Sequence, residues 1–235
     1  MDFHRVKRFL LHAFFPNRCP FCGAVIACEE HACETCADAL HRMNPCRCAV
    51  CHGFACTCSQ SGHPFERVVS VFPYADLPKR AILQMKFHGH RVYAESLGWY
   101  LAQQIQNGDL AWKPDLILPV PMTRKKRRKR GYNQAALLAK SVSDSLHLPL
   151  RTDVLVKPHE TAAQHTLSAY GRRYNLRGAY TVKHAEAIRN RTVLLIDDVY
   201  TTGATASECA ATLLAHGAKS VMVGTICKVC AVGKE

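Results

Sequence analysis

The stretch VLLIDDVYTTGATASE, from Val193 to Glu208, decides the fold class of this chain. Four apolar residues predict a buried strand, and two adjacent acids follow them. A Thr-Thr-Gly-Ala-Thr turn then leads into a predicted helix. In α/β folds, ligands bind beyond the carboxyl ends of parallel strands, which is where this turn would lie. We therefore expect a binding site at this strand end.

The turn carries the groups that bind a phosphate. Free N–H groups and the dipole of a helix N-terminus favour an anion, a glycine allows close backbone approach, and threonine hydroxyls donate hydrogen bonds. The acids upstream can accept hydrogen bonds from the vicinal hydroxyls of a sugar, so the pattern predicts a ribose 5-phosphate site. The alternative is an ordinary strand, turn and helix with solvated acids. The predicted binding residues are Asp197, Asp198, Thr201, Thr202, Gly203, Ala204 and Thr205.

Strands and helices alternate from about His63 onward, which favours an α/β fold with a mainly parallel sheet flanked by helices. The predicted strands cover residues 66–74, 115–120, 192–197 and 220–226. The predicted helices cover residues 78–87, 91–106, 133–147 and 204–216. We place the domain boundary after residue 62, so that residues 1–62 form an N-terminal helix and a cysteine-rich module, and residues 63–235 form the α/β domain.

The N-terminal module contains ten of the 13 cysteines. Two C-x-x-C pairs, at 19–22 and 33–36, can place four thiolates around one zinc ion. A second set at 48–51 and 56–58 predicts a second zinc, with Cys46 or His52 as a possible substitute ligand and with the pairing left open. A zinc site with four protein ligands has no position open for water, which indicates a structural role. We therefore expect one or two structural zinc ions. The predicted ligands are Cys19, Cys22, Cys33, Cys36, Cys48, Cys51, Cys56 and Cys58; Cys28 is spare.

Positive charge is in excess, with 31 Lys and Arg against 18 Asp and Glu, a formal net charge of +13. Such an excess favours a polyanion: nucleic acid, a phosphorylated metabolite or an anionic membrane surface. Seven consecutive basic residues, 124–130, follow a predicted strand in a predicted loop at the same sheet edge as the turn. This loop could bind pyrophosphate or a nucleic-acid backbone, or could simply be solvated. The nucleic-acid candidates are Arg124, Lys125, Lys126, Arg127, Arg128 and Lys129.

No apolar run reaches the ~20 residues that a membrane span needs. The N-terminal stretch has no small-residue cleavage site, so we do not interpret it as a signal peptide. We therefore expect a cytoplasmic protein whose clustered cysteines are metal ligands rather than disulfides.

The stretch from Val193 to Glu208 resembles the binding motif for 5-phosphoribosyl 1-pyrophosphate (PRPP) of type I phosphoribosyltransferases. The chain as a whole resembles the ComF family through a series of sequence blocks. In order, these are the cysteine-rich start, QMKF (84–87), PVP with the basic run and GYNQA, the segment 162–180, and IDDVYTTGAT. The resemblance covers nearly the whole chain. It implies a type I phosphoribosyltransferase fold behind a double zinc ribbon, and a role in natural competence, in which DNA enters the cytoplasm as a single strand.

The resemblance also implies roles for individual residues. It implies that Asp197 and Asp198 contact the ribose hydroxyls, that the turn binds the 5-phosphate, and that Mg²⁺ bridges ribose and pyrophosphate oxygens. It makes residues 160–175 a candidate flexible loop that closes over the substrate, or else a surface loop. Further candidates for pyrophosphate and loop contacts are Lys86, Pro119, Val120, Arg130, Asn133, Gln134, Gln164, Arg172 and Asn175.

Three functions stay open on this evidence. The first is a phosphoribosyltransferase-like protein that handles incoming single-stranded DNA, with competence proteins as partners and with Tyr132, Tyr170 and Tyr174 as candidate stacking residues. The second is a metabolic phosphoribosyltransferase that transfers phosphoribose to an unidentified base. The third is a module that binds PRPP or nucleotides without turnover. The sequence alone does not decide whether the chain is an enzyme.

Overall fold

A computed structural model describes residues 16–43, 62–107, 113–158 and 178–229. In these ranges, four parallel strands form the central sheet. A short antiparallel pair stands apart from it. The sheet strands are β1 (Arg67–Pro73), β2 (Leu116–Pro119), β5 (Thr192–Tyr200) and β6 (Ser220–Lys228), and the separate pair is β3 (Leu155–Val156) with β4 (Thr181–Val182). The order across the sheet is β1, β6, β5, β2.

Helices lie on both faces of the sheet, so the predicted α/β fold class is confirmed. The helices of the described ranges are α1 (Glu34–Arg42), α2 (Asp76–Phe87), α3 (Tyr93–Gln106), α4 (Arg124–Arg130), α5 (Gln134–Leu146) and α6 (Ala204–Ala215). Of these, none has the length and apolar character that crossing a membrane requires.

The basic run corrects one prediction, because residues 124–130 form the helix α4 and not a loop. The Thr123 hydroxyl accepts a hydrogen bond from the N–H of Lys126, which caps the helix start. Gly131 ends the helix with a φ of 83°, a left-handed conformation that suits glycine. Lysine and arginine are good helix formers, so the local preferences outweigh the repulsion between neighbouring charges.

Strand β5 is also longer than predicted. It continues to Tyr200, and its pairing with β6 joins Asp197 to Thr225 and Tyr200 to Lys228. The two acids therefore lie inside the strand and not after it. Because successive side chains of a strand point to opposite faces, Asp197 and Asp198 face different sides of the sheet.

Each face of the sheet has its own core. On one face, Leu195 of β5 packs with α6 and the β3–β4 pair. On the other face, Leu194 packs with α2, α3 and α5. Helices α3 and α5 cross closely at Gly98, where a Cβ atom would lie 2.5 Å from Cβ of Ser141. Burial on both faces explains why the strands are continuous apolar runs in the sequence.

The cysteine-containing segment 16–43 packs against the second of these cores. Phe21 lies edge-on to Phe72 of β1 at 6.0 Å and to Tyr100 of α3 at 6.1 Å between ring centroids. The imidazole of His31 stacks on Trp99 at 4.3 Å. This segment therefore shares its apolar core with the α/β domain. The domain boundary after residue 62 stays a prediction.

Candidate functional site

An ion pair anchors one acid of the sheet edge. The ammonium of Lys86, in the last turn of α2, lies 2.9 Å from Oδ1 of the buried Asp198. The other carboxylate oxygen, Oδ2, is buried and has no hydrogen-bond partner among the described residues. A buried acceptor without a donor is costly, so it marks a place where a ligand can donate.

Asp197 occupies the opposite face of the strand. Its Oδ1 accepts a hydrogen bond from the N–H of Asp198 at 2.9 Å. Burial, followed by the negative charge of Asp198, raises the pKa of Asp197 to about 7. Together with Thr201, Gly203 and Thr205, it lines a cavity of about 20 Å³. The structure therefore brings Asp197, but not Asp198, to the side of the turn.

The turn ends at Gly203, which caps the N-terminus of α6 with a φ of 75°. The space that a Cβ atom would need there is filled by the hydroxyl of Tyr200. Next to it, Nδ1 of His63 lies 2.7 Å from Oγ of Ser207, in the first turns of α6. The His63 ring stacks on Phe65 at 4.7 Å. The segment before β1 thus packs on the turn at residues 201–205, a contact that no sequence pattern signals.

The candidates that follow β2 are held together by a small hydrogen-bond network. Nδ2 of Asn133 donates to the carbonyl of Val120 at 3.0 Å, and its Oδ1 caps helix α5 by accepting from the N–H of Ala135 at 3.1 Å. The guanidinium of Arg130 donates to Oε1 of Gln134 at 2.5 Å. These four candidates therefore fix the connection between β2 and α5, whatever they bind.

A cationic cavity of about 780 Å³ lies beside the end of β2, where Pro119 contributes to its wall. Among the described residues, those that line it include four basic side chains from three parts of the chain and no acidic one. Two of them, Arg124 and Arg127, belong to α4. The others, Lys157 and Lys183, follow β3 and β4 and lie at opposite ends of that antiparallel pair. Isolated lysines give no sequence signal, so sequence reasoning did not find them.

Tyr132 is a packing residue and does not present a free ring for stacking. Its side chain is buried, its hydroxyl donates a hydrogen bond to the carbonyl of Met85, and the guanidinium of Arg91 lies over its ring at 4.6 Å. The remaining loop and stacking candidates lie outside the described residues; they are Gln164, Arg172, Asn175, Tyr170 and Tyr174.

The four cysteines of the first predicted zinc site are clustered. The Sγ atoms of Cys19, Cys22, Cys33 and Cys36 all lie within 4.8 Å of one another. Tetrahedral zinc with Zn–S bonds of about 2.3 Å places its sulfurs about 3.8 Å apart, so this cluster can hold a metal ion and is consistent with zinc. Cys28 is not part of the cluster. The ligands predicted for a second site, Cys48, Cys51, Cys56 and Cys58, lie outside the described residues.

Comparison with known proteins gives relatives over most of the chain, although no protein-family model matches it. The chain is 31% identical over 214 residues to the DNA utilization protein YhgH of Escherichia coli O157:H7, with 89% of each chain covered. It is 36% identical over 111 residues to competence protein F of Haemophilus influenzae, covering 47% of this chain and 48% of the relative. It is 29% identical over 152 residues to competence protein ComFC of Bacillus subtilis, covering 63% of this chain and 58% of the relative.

Among solved structures, the adenine phosphoribosyltransferase of Leishmania tarentolae is similar to this chain with a TM-score of 0.37 and 20% identity. The match covers 60% of this chain and 62% of that one. The superposition is loose, and no residue role is taken from it.

Proposed function

Because the chain belongs to the ComF family of competence and DNA-utilization proteins, we propose that it binds PRPP with Mg²⁺ and handles incoming single-stranded DNA. PRPP would bind between the two acids of β5 and the turn that starts α6. The DNA backbone would bind along α4 and the cationic cavity. The cytoplasm, where DNA arrives as a single strand, is the proposed place of action.

The observation that carries the PRPP site is the buried Oδ2 of Asp198, which has no donor within the described residues. A ribose hydroxyl brought to this edge of the sheet can donate to it. Lys86 holds the same carboxylate through Oδ1 and so fixes its orientation. On the other face of the strand, Asp197 lies with Thr201 and Gly203, where the N-terminus of α6 favours a phosphate. Sugar and phosphate would thus bind to adjacent parts of one chain segment.

Mg²⁺ fits this site and not the cysteine cluster. The acids and threonine hydroxyls are oxygen groups, which magnesium prefers, whereas the cluster of four cysteines offers only sulfur. When bound, Mg²⁺ would supply positive charge to the ribose and pyrophosphate oxygens of PRPP itself. The acids of β5 would hold the sugar hydroxyls, and the basic residues near β2 would attract the pyrophosphate.

The proposal for DNA rests on charge and on its distribution. The side chains of residues 124–129 are exposed, and Arg124 and Arg127 reach the cavity that also contains Lys157 and Lys183. The described lining of this groove carries positive charge and no acid, and a groove of one charge sign attracts a polyanion and raises its rate of association. Neutralising phosphates releases counterions, so the affinity of such a site falls steeply as salt increases.

The N-terminal segment has a structural role in this proposal. A zinc ion bound by Cys19, Cys22, Cys33 and Cys36 would close a tetrahedral site with no open position for water. The metal would then hold Phe21 in the core that it shares with β1 and α3. A second zinc ion, bound by the cysteines that follow residue 43, remains part of the proposal.

Two binding measurements, each on two variants, test the two halves of the proposal. Calorimetry with PRPP and Mg²⁺ should show binding to the native protein, and none to the double variant Asp197→Asn/Asp198→Asn. Fluorescence anisotropy with a short single strand should show that Arg124→Gln/Arg127→Gln lowers DNA affinity and reduces the salt slope by about two. The acid variant should keep its DNA affinity, and the arginine variant should keep its PRPP affinity. An acid variant that binds PRPP like the native protein would rule out the sugar site.

A DNA-uptake assay in the source cell then joins the two halves. Loss of transformation in a folded Asp197→Asn/Asp198→Asn variant would connect the sugar site to DNA import. Release of pyrophosphate from PRPP on addition of a free base would instead identify the chain as a metabolic phosphoribosyltransferase.

A further inference from the structure

Phe87 is an exposed aromatic residue beside the proposed site. It is the last residue of α2, and 67% of its surface is accessible to solvent. A single exposed apolar side chain is not unusual in itself. Its surroundings, however, distinguish this ring from an ordinary surface residue.

The backbone that carries Phe87 is held on both sides. The carbonyl of Met85 accepts a hydrogen bond from the buried Tyr132, and the ammonium of Lys86 lies 2.9 Å from Asp198. After the ring, the N–H of His88 donates to the carbonyl of Gln84 at 3.1 Å. The helix end is therefore anchored to the loop before α5 and to the acid strand. A ring on such a support loses little conformational entropy when a ligand packs on it.

The ring also contacts the basic helix. The guanidinium of Arg130, the last residue of α4, lies over the ring at 5.5 Å from its centroid. Arg130 is in turn held by Gln134. An aromatic plane thus stands at the end of a helix of seven positive residues, and it directly follows the lysine that pairs with the acid of the proposed sugar site.

We propose that Phe87 is a platform on which an unpaired base of single-stranded nucleic acid stacks while α4 binds the phosphates. This inference rests on the DNA half of the proposed function and identifies the contact that distinguishes a single strand from any other polyanion. The charge around the ring favours this occupant, because its ligand must combine a flat apolar face with closely spaced negative charge. Rings that stack bases beside a basic groove are the means by which proteins bind single strands without sequence preference.

The test compares two probes that carry the same phosphates. One is a short fluorescent thymidine oligonucleotide, and the other is an abasic strand of equal length. The native protein should bind the thymidine strand more tightly than the abasic one. Phe87→Ala should lower the affinity for the thymidine strand about tenfold and leave the affinity for the abasic strand unchanged. Phe87→Trp should keep the native affinities, because it retains a flat ring.

Val92→Ala is the matched control, because Val92 is a similarly exposed apolar residue, at 70%, close along the chain. It should change neither affinity, and thermal unfolding should show that all the variants fold. If the native protein binds both strands equally, or if Phe87→Ala lowers both affinities alike, the stacking inference is overturned and DNA binding stands. If the native protein binds neither strand, the DNA half of the proposed function fails, and the inference fails with it.

Discussion

The ammonium of Lys86 lies 2.9 Å from Oδ1 of Asp198, so an ion pair joins the end of α2 to strand β5 inside the protein. Burial alone would lower the pKa of Lys86, but the charge and hydrogen bond of Asp198, together with the charge of Asp197, more than offset this and keep that pKa above its ordinary value. Lys86 therefore stays charged at neutral pH. The ion pair positions both the carboxylate of the proposed sugar site and the helix end that carries Phe87.

Replacing Lys86 by methionine should destabilise the protein by about 3 kcal/mol, because it leaves a buried carboxylate without its counter-charge. The double variant Lys86→Met/Asp198→Asn should recover much of this loss, since neither partner is then charged. Urea unfolding of the four proteins in this cycle measures the coupling. A double variant no more stable than Lys86→Met would contradict the importance of the pair.

The raised pKa of Asp197 predicts a pH dependence of stability. The carboxyl has a pKa of about 7 in the folded protein and about 3.9 when unfolded. The folded state is favoured while this carboxyl is protonated. Its contribution to the free energy of unfolding is therefore complete below about pH 4 and is lost as the pH rises to about 7. The stability of Asp197→Asn relative to the native protein should therefore increase over that window and level off above it. Urea unfolding of both proteins at a series of pH values measures this difference, and a difference that stays constant across the window would contradict the prediction.

Replacing Gly203 by alanine should damage both the fold and the turn. Alanine at a φ of 75° costs about 1–2 kcal/mol, and its Cβ would also collide with the Tyr200 hydroxyl. We expect a lower melting temperature and a large loss of PRPP affinity in calorimetry. Gly178→Ala is a close control, because φ there is 70° and no atom of the described residues lies within 4 Å of a Cβ. Gly178→Ala should lower stability only by the backbone strain and should keep PRPP affinity. An equal loss of PRPP affinity in the two variants would argue against a special role of the turn.

The cysteine cluster predicts a defined loss of metal. Cys22→Ser should lower the zinc content of the purified protein by about one equivalent, because it removes one of four ligands. It should also lower the melting temperature, since the segment that carries Phe21 would lose the metal ion that crosslinks it. Cys28→Ser should leave both quantities unchanged, because Cys28 lies outside the cluster. Elemental analysis and thermal unfolding check these outcomes; unchanged zinc in Cys22→Ser would contradict the ligand assignment.

Periodicity and spacing predicted the parts of this fold that depend on local signals. Buried parallel strands are apolar runs, so those at Leu116–Pro119 and Ser220–Lys228 were recognised. The cluster at Cys19 was recognised from the spacing of its pairs. The extension of β5 to Tyr200 was missed, because pairing with β6 keeps polar residues in the strand. Residues 124–130 were assigned to a loop, because charge patterning indicated exposure and the capping by Thr123 was overlooked.

Most of the side chains that complete the candidate site could not have been found locally. His63 packs on the turn from a position 144 residues away from Ser207 in sequence. Lys157 and Lys183 share a cavity with α4 because the β3–β4 pair lies beside that helix. The contact between Lys86 and Asp198 likewise depends on how α2 lies against the sheet. Such contacts between distant residues depend on tertiary packing, and patterns in a single sequence do not predict them.

The packing of Phe21 against Phe72 and Tyr100 has a consequence for the protein in the cell. A chain that lacks its metal would expose these rings to water, and proteases and chaperones act on such partly open chains. The supply of metal would then set how much of the folded protein accumulates.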